Sequence, residues 1–391
     1  YHFFQEAIPF AGREKERGEI RAFLQSPAPC SWWTITGQAG AGKSRLALQC
    51  IRELPPTWFG FFLDSRSTPG DAADFKPFSH TFAIIDYVSG REYPIAGIME
   101  NLKHVFENTP YSLRILLLER ENNQEAGSWY SRLLQRFGKY SLISTDAYRK
   151  EFLDLGDLSQ EAVDSFIGAV CSAKGLPSDP SRDAALRKAY GQKFEKLQFR
   201  PLYVQIFVES WIENGFSFPR YDTFEDLLQN LLSREQERWL SLLDGDQPCC
   251  NSLIRLLIRA NISGRLDIRN LPDLYRPDWE KIHAFLSNHT FPGKQRQEAA
   301  KSLICSVCQN SDQEDAAIVP LFPDLIKEYM FFYYMDESRI SSVMSEIWQN
   351  AAHDFSLFIT RCLTDFPKND FYRHALNVYE GETHDLSVLQ G

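Results

Sequence analysis

The sequence predicts an α/β protein in which a parallel sheet is followed by a helical lid and a winged-helix-like region. Three observations predict it. Strand-like and helix-like patterns alternate over the first 155 residues, as they do when parallel strands are joined by helices. Two of the strand candidates, Phe82–Val88 (FAIIDYV) and Leu113–Leu118 (LRILLL), do not alternate polar with apolar residues, which marks strands covered on both faces. From Ser159 onward the apolar spacing becomes helical.

Taken in order, Trp32–Thr36 is a short strand that runs into a glycine-rich turn. The helix after it places Leu46 with Cys50 and Ala47 with Ile51 one turn apart. Trp58–Asp64 reads as the second strand, FAIIDYV and LRILLL as the central ones, and Glu151–Leu155 as the fifth. Ser159 is an N-cap, and Ala162, Val163, Phe166, Ile167, Val170 and Cys171 make one apolar stripe that stops near Gly175. Pro201 stands at a first helical position before LYVQIFVESWI, and Gly215 closes that helix. Asp222 and Glu225 are spaced as a capping box for a helix through Leu240. Past Gln247 come further helices, then two strand-like runs, Ser302–Cys308 and Ala316–Leu321, around the polar turn NSDQED. Helices followed by a hairpin suggest a winged helix. The expected divisions are 1–156 for the sheet domain, 157–244 for the lid, 245–335 for the winged-helix-like domain and 336–391 for a helical connector.

Composition excludes several function classes. A chain of 391 residues suits two or three domains. Its net charge is −10, and residues 241–391 carry 14 Lys and Arg against 21 Asp and Glu. That balance argues against nucleic acid as a partner. Eight cysteines are too sparse for a disulfide scaffold, so a cytoplasmic setting is expected. No apolar run reaches the roughly 18 residues of a membrane span. The chain begins with Tyr1, and a segment of a longer polypeptide is expected.

The chemistry concentrates in Gly37-Gln38-Ala39-Gly40-Ala41-Gly42-Lys43-Ser44, followed by Arg45. This is the G-x-x-x-x-G-K-S phosphate loop, in its required place between a strand and a helix. The glycines let backbone amides curl around a β-phosphate, Lys43 supplies charge, and the Ser44 hydroxyl can ligate Mg²⁺. ATP with Mg²⁺ is the expected ligand. Asp86 ends its apolar strand where the Walker B carboxylate belongs, making Ser44 and Asp86 the metal pair. Tyr87 follows it, where fast ATPases often place a Glu as general base. Arg120 follows LRILLLE, at a strand end that faces the ligand crevice in open α/β sheets. It reads equally as a γ-phosphate contact or as a solvated partner of Glu119 or Glu121. Glu119 is the candidate replacement for the missing base, so the catalytic set is Lys43, Asp86, Glu119 and Arg120. Cys305 and Cys308, with Cys249 and Cys250, lack a glycine knuckle and read as structural thiols rather than a zinc site.

These motifs together resemble the STAND class of signalling NTPases, relatives of AAA+ proteins. Phe10-Ala11-Gly12-Arg13-Glu14-Lys15-Glu16 resembles the F-x-G-R-E-x-E entry motif, and the resemblance implies that Phe10, Gly12 and Arg13 help to hold the nucleotide base. EFLDLGDLSQEAV resembles the fifth strand and the start of the lid. Phe199-Arg200-Pro201-Leu202 stands at the lid's G-x-P segment, with Arg where Gly is usual, and implies a nucleotide contact for Pro201. Leu321–Tyr329 (LFPDLIKEY) resembles a proline-aspartate motif of the winged-helix region in bacterial members. D-Y-V-x-x-R and L-L-L-E-R are similar to segments of bacterial antiviral STAND proteins. The resemblance implies a switch that binds ATP, hydrolyses it slowly, and forms a homo-oligomer when a phage or other foreign protein engages a sensor outside this segment. The alternative is a DNA-binding replication initiator or regulator of the AAA+ type.

Overall fold

The computed structural model describes residues 8–64, 66–137, 146–193, 199–217, 223–309, 317–321, 323–334 and 337–366. The chain forms two compact units, residues 2–220 and 221–391.

The first unit runs α1 (Glu14–Leu24), β1 (Cys30–Thr36), α2 (Lys43–Arg52), β2 (Trp58–Phe62), α3 (Pro69–Ala73), β3 (His80–Asp86), α4 (Glu92–Phe106), β4 (Leu113–Glu119), α5 (Trp129–Arg136), β5 (Leu153–Asp154), α6 (Gln160–Ala173), α7 (Pro180–Lys193) and α8 (Pro201–Glu213). Its five strands lie in the order β2-β3-β4-β1-β5, and every pairing is parallel. β4 therefore stands between β1 and β3. The pleat sends successive side chains to opposite faces. Trp32, Ala83, Ile85, Ile115 and Leu117 share one core with Ile95, Met99 and Leu102 of α4. Trp33, Ile35, Phe82, Ile84, Leu116 and Leu118 share the other with Ile20 and Phe23 of α1 and Leu46 of α2. Each such side chain contributes about 1.5–3 kcal/mol by leaving water.

Arg114 interrupts the apolar run of β4 and is buried. Its guanidinium donates to the carbonyls of Leu113 at 2.8 Å and Phe23 at 3.2 Å, and to that of Ser26. A buried cation is tolerable only with such partners, and this one pins the turn that leads from α1 into β1.

The second unit contains α9 (Phe224–Leu242), α10 (Gln247–Ser263), β6 (Leu266–Asp267), α11 (Arg276–Asn288), α12 (Lys294–Val307), β7 (Cys308–Gln309), β8 (Ala317–Ile318), α13 (Asp324–Tyr334) and α14 (Glu337–Asp365). β6, β8 and β7 form a small antiparallel sheet in that order. α10 is buried nearly all round, through Cys249, Cys250, Leu253, Leu256, Leu257 and Ala260. Arg259 on α10 makes a buried pair with Glu346 on α14, 3.0 Å from Nε to Oε2. α14 departs from helical geometry at Ala351. Among the described residues no helix is long and apolar enough to cross a membrane.

Three local expectations are corrected. Ser302–Cys308 is not a strand: α12 continues to Val307, and only Cys308 and Gln309 are extended. Ala300, Leu303 and Ile304 are buried, a spacing of three and four that only a helix presents to one core. α9 is capped by Thr223 with Asp226, each side chain bonding the other's amide, one residue on from the expected pair, of which Asp222 lies outside the described residues. The fifth strand keeps only Leu153 and Asp154. The NSDQED turn, Phe322 and the connector beyond 366 lie outside the described residues.

Candidate nucleotide-binding site

β1 ends at Thr36, whose hydroxyl donates to Asp154 at 2.8 Å, and the phosphate loop leaves the sheet from there. The Gly37 amide donates to the Glu119 carbonyl at 3.2 Å, which fixes the loop's root to β4. Gly40 has φ +78°, and a Cβ there would meet Leu202 at 3.1 Å and Tyr203 at 3.3 Å. Conformation and space both demand glycine at this position. Gly42, at φ 92°, caps α2, so Lys43 is the first helical residue. The first amides of α2, which lack intrahelical partners, thus open at the loop and favour an anion there.

Lys43 Nζ donates to the carbonyl of Gly37 and, at 3.3 Å, to that of Gln38. Ser44 Oγ donates to Asp86 Oδ2 at 2.6 Å. Two residues 42 apart in sequence therefore meet as a hydroxyl and a carboxylate, the hard oxygen ligands that Mg²⁺ takes. Among the described residues no group of three or more His, Cys, Asp or Glu could hold a metal ion. Two oxygens cannot fill an octahedral shell. An ion at this pair must draw its other ligands from phosphate and water, as Mg²⁺ does with nucleotides. The donor set fits that group.

Tyr87, directly after Asp86, has φ 61°, a left-handed conformation that costs a bulky residue about 1–3 kcal/mol. Its amide is held by the Leu118 carbonyl at 3.2 Å and by Asp86 Oδ1 at 3.1 Å. Glu119 is buried. One of its carboxylate oxygens accepts from the Ser89 amide at 2.7 Å and the other from the Arg120 amide at 2.7 Å. This geometry makes Glu119 an anchor that ties the loop after β3 to the end of β4. Each oxygen accepts from one backbone amide. Arg120 stands just past the end of β4, half-buried.

The entry segment reaches the loop through Arg13. Its Nη2 donates to the Ala41 carbonyl at 3.3 Å and to the Gly156 carbonyl at 2.6 Å, while Nη1 pairs with Glu16 at 3.0 Å. Gly12, at φ +78°, lies where a Cβ would be 3.0 Å from the Cβ of Ala162 on α6. Arg45 donates to the Ile8 carbonyl at 3.0 Å, and burial lowers its pKa. Phe10 packs on the core beneath α1 and α2, with the Arg17 guanidinium 5.7 Å above its ring.

α8 and the residues just before it complete the surroundings. Pro201 would be 3.7 Å from a Cβ on Gly42, and the Leu202 amide donates to the Gly40 carbonyl at 3.3 Å. Arg200 donates to the Ala39 carbonyl at 3.2 Å and to the Gln38 side chain. Its guanidinium lies over the Tyr203 ring at 4.9 Å. Asp157 is exposed beside this group; partial loss of water raises its pKa, against the pull of the Phe199 amide, Arg200 and Arg13. The sequence marks Arg200 only as a departure from a motif. Its two partners in the loop are more than 150 residues away, and no local pattern announces them.

No family model matches the chain, and no curated protein does. Solved structures do. One is a Walker-type ATPase of Pyrococcus abyssi: 12% identity, 82% of this chain and 96% of that one, TM-score 0.40. A second is a STAND protein with a tetratricopeptide repeat sensor from Pyrococcus horikoshii: 13% identity, 95% of this chain but 51% of that one, TM-score 0.42. A third is the Aeropyrum pernix Orc1 protein in complex with DNA: 10% identity, 83% of this chain and 92% of that one, TM-score 0.37.

Proposed function

We propose that this chain is the ATP-binding switch and oligomerisation module of a STAND-type signalling NTPase, with slow hydrolysis, acting in defence against phage. The observation that carries the nucleotide reading is the hydrogen bond between Ser44 and Asp86 at the mouth of a glycine loop that also holds Lys43. Slow turnover is supported by Tyr87, whose phenol is a poor base near neutral pH, and by the engagement of both Glu119 oxygens. The small antiparallel sheet that joins β6, between α10 and α11, to β7 and β8 after α12 supports a winged helix. The antiviral setting rests on the residues Asp86-Tyr87-Val88-Ser89-Gly90-Arg91 and Leu116–Arg120. The partners on this reading are further copies of the chain and a foreign protein bound by regions beyond it.

Calorimetry with Mg-ATP and Mg-ADP tests the reading. The wild-type chain should bind both, and Lys43→Ala should bind neither while keeping its circular dichroism spectrum. Retained affinity in Lys43→Ala sinks the phosphate-loop assignment. A non-hydrolysable ATP analogue should support assembly of the complete protein with its trigger; a requirement for hydrolysis would point to a motor cycle instead.

A further inference from the structure

The carbonyls of the phosphate loop can be accounted for one by one. Those of Gly37 and Gln38 accept from Lys43. That of Ala39 accepts from Arg200, that of Gly40 from the Leu202 amide, and that of Ala41 from Arg13. Gly42 begins the ladder of α2 through Leu46, 2.9 Å away. In a loop whose amides converge on an anion, the carbonyls turn outward. Here two of three consecutive outward carbonyls meet donors of the lid. Arg200 is the only side chain among these lid donors. It spans two acceptors on adjacent residues, Ala39 and Gln38, and it is held against Tyr203, whose hydroxyl is 3.1 Å from Nη1. The two bonds leave from separate nitrogens, Nη1 and Nη2, of one rigid plane that also lies over the Tyr203 ring; a lysine ammonium has neither that fork nor that flat face.

We propose that Arg200 is a positioning residue that makes docking of α8 and shaping of the phosphate loop a single equilibrium. The proposal rests on the reading that the loop binds nucleotide. A donor on each outward carbonyl polarises the adjoining peptide and strengthens its amide toward phosphate. A phosphate seated on the amides strengthens the outward bonds in return, because the coupling is reciprocal. The coupling runs through the loop and not through the base, so inorganic pyrophosphate should engage it as ADP does.

The test uses the full chain as wild type, Arg200→Ala, Arg200→Lys and Gln38→Ala. Affinity for Mg-ADP and for Mg-pyrophosphate is read by calorimetry, and hydrogen exchange is followed over Pro201–Glu213 with and without each ligand. Arg200→Ala should lose about tenfold in affinity for both ligands, and ligand should no longer protect α8. Arg200→Lys should recover neither. Gln38→Ala, which leaves the lid's own residues in place, should move both readouts the same way by less. Wild-type affinity and protection in Arg200→Ala overturn the proposal, as does full recovery by lysine. Should Arg200→Ala fail to fold, Gln38→Ala decides, and no change in either readout overturns it. A wild-type chain that binds neither ligand removes the nucleotide reading itself, a different failure from variants that bind as wild type does.

Discussion

Asp86 and Arg120 stand at the ends of adjacent strands, yet they are expected to answer to different ligands. Asp86 shares its hydrogen bond with Ser44, so Asp86→Ala should remove the Mg²⁺ dependence of ATP affinity; the measurement is a titration with and without the ion. Affinity that still rises with Mg²⁺ as in wild type assigns the metal to another acid. Arg120→Ala should spare ADP and weaken ATP by about 1.5–3 kcal/mol, the worth of a charge-assisted hydrogen bond. Equal losses for the two nucleotides would make Arg120 structural. At this scale the sequence was legible wherever chemistry is local. Gly37 to Ser44 is read from spacing, because a phosphate loop is built from neighbours, and Asp86 from its place at the end of an apolar run. The Ser89 amide that bonds Glu119 and the Gln38 side chain that bonds Arg200 were not legible, because they come from remote segments that only folding brings close.

Elements were legible according to how strongly their ends are marked. Ser159 caps α6, accepting from the Ala162 amide, and Pro201 opens α8, both at their expected positions. The buried runs of β3 and β4 were plain because continuous apolar sequence suits a strand covered on both faces. Errors came where two signals compete. Asp222 and Thr223 are adjacent cap formers, and the Thr223–Asp226 pair won because it engages both amides. Thr223→Ala should therefore lower stability by about 1 kcal/mol, read as a shift in urea midpoint with no change in slope. A larger loss for Glu225→Ala than for Thr223→Ala would restore the other cap. The run after Ala300 was misread because Ser302–Cys308 is apolar enough for either a strand or a helix, and only the burial of Ala300, Leu303 and Ile304 decides it.

On the scale of the whole molecule, the second unit holds a buried ionic tie between two helices, Arg259 with Glu346, where Asn350 adds a bond to the same carboxylate at 3.1 Å. Arg259→Leu strands a buried carboxylate and should cost about 3–5 kcal/mol, whereas Arg259→Leu with Glu346→Leu should recover most of that loss. Urea unfolding of the two variants checks this, and a double variant as unstable as the single one would show that the pair matters for more than charge. In the first unit the sheet order has a mechanical consequence. β4 lies between the strand that launches the phosphate loop and the strand that carries Asp86. The span from β1 to β3 is therefore two strand spacings of about 4.8 Å, set by ladders that neither loop can stretch. On the proposed reading the sheet is a fixed gauge against which a phosphate chain is measured, and whatever travels when nucleotide exchanges must travel in the parts fastened to its rim.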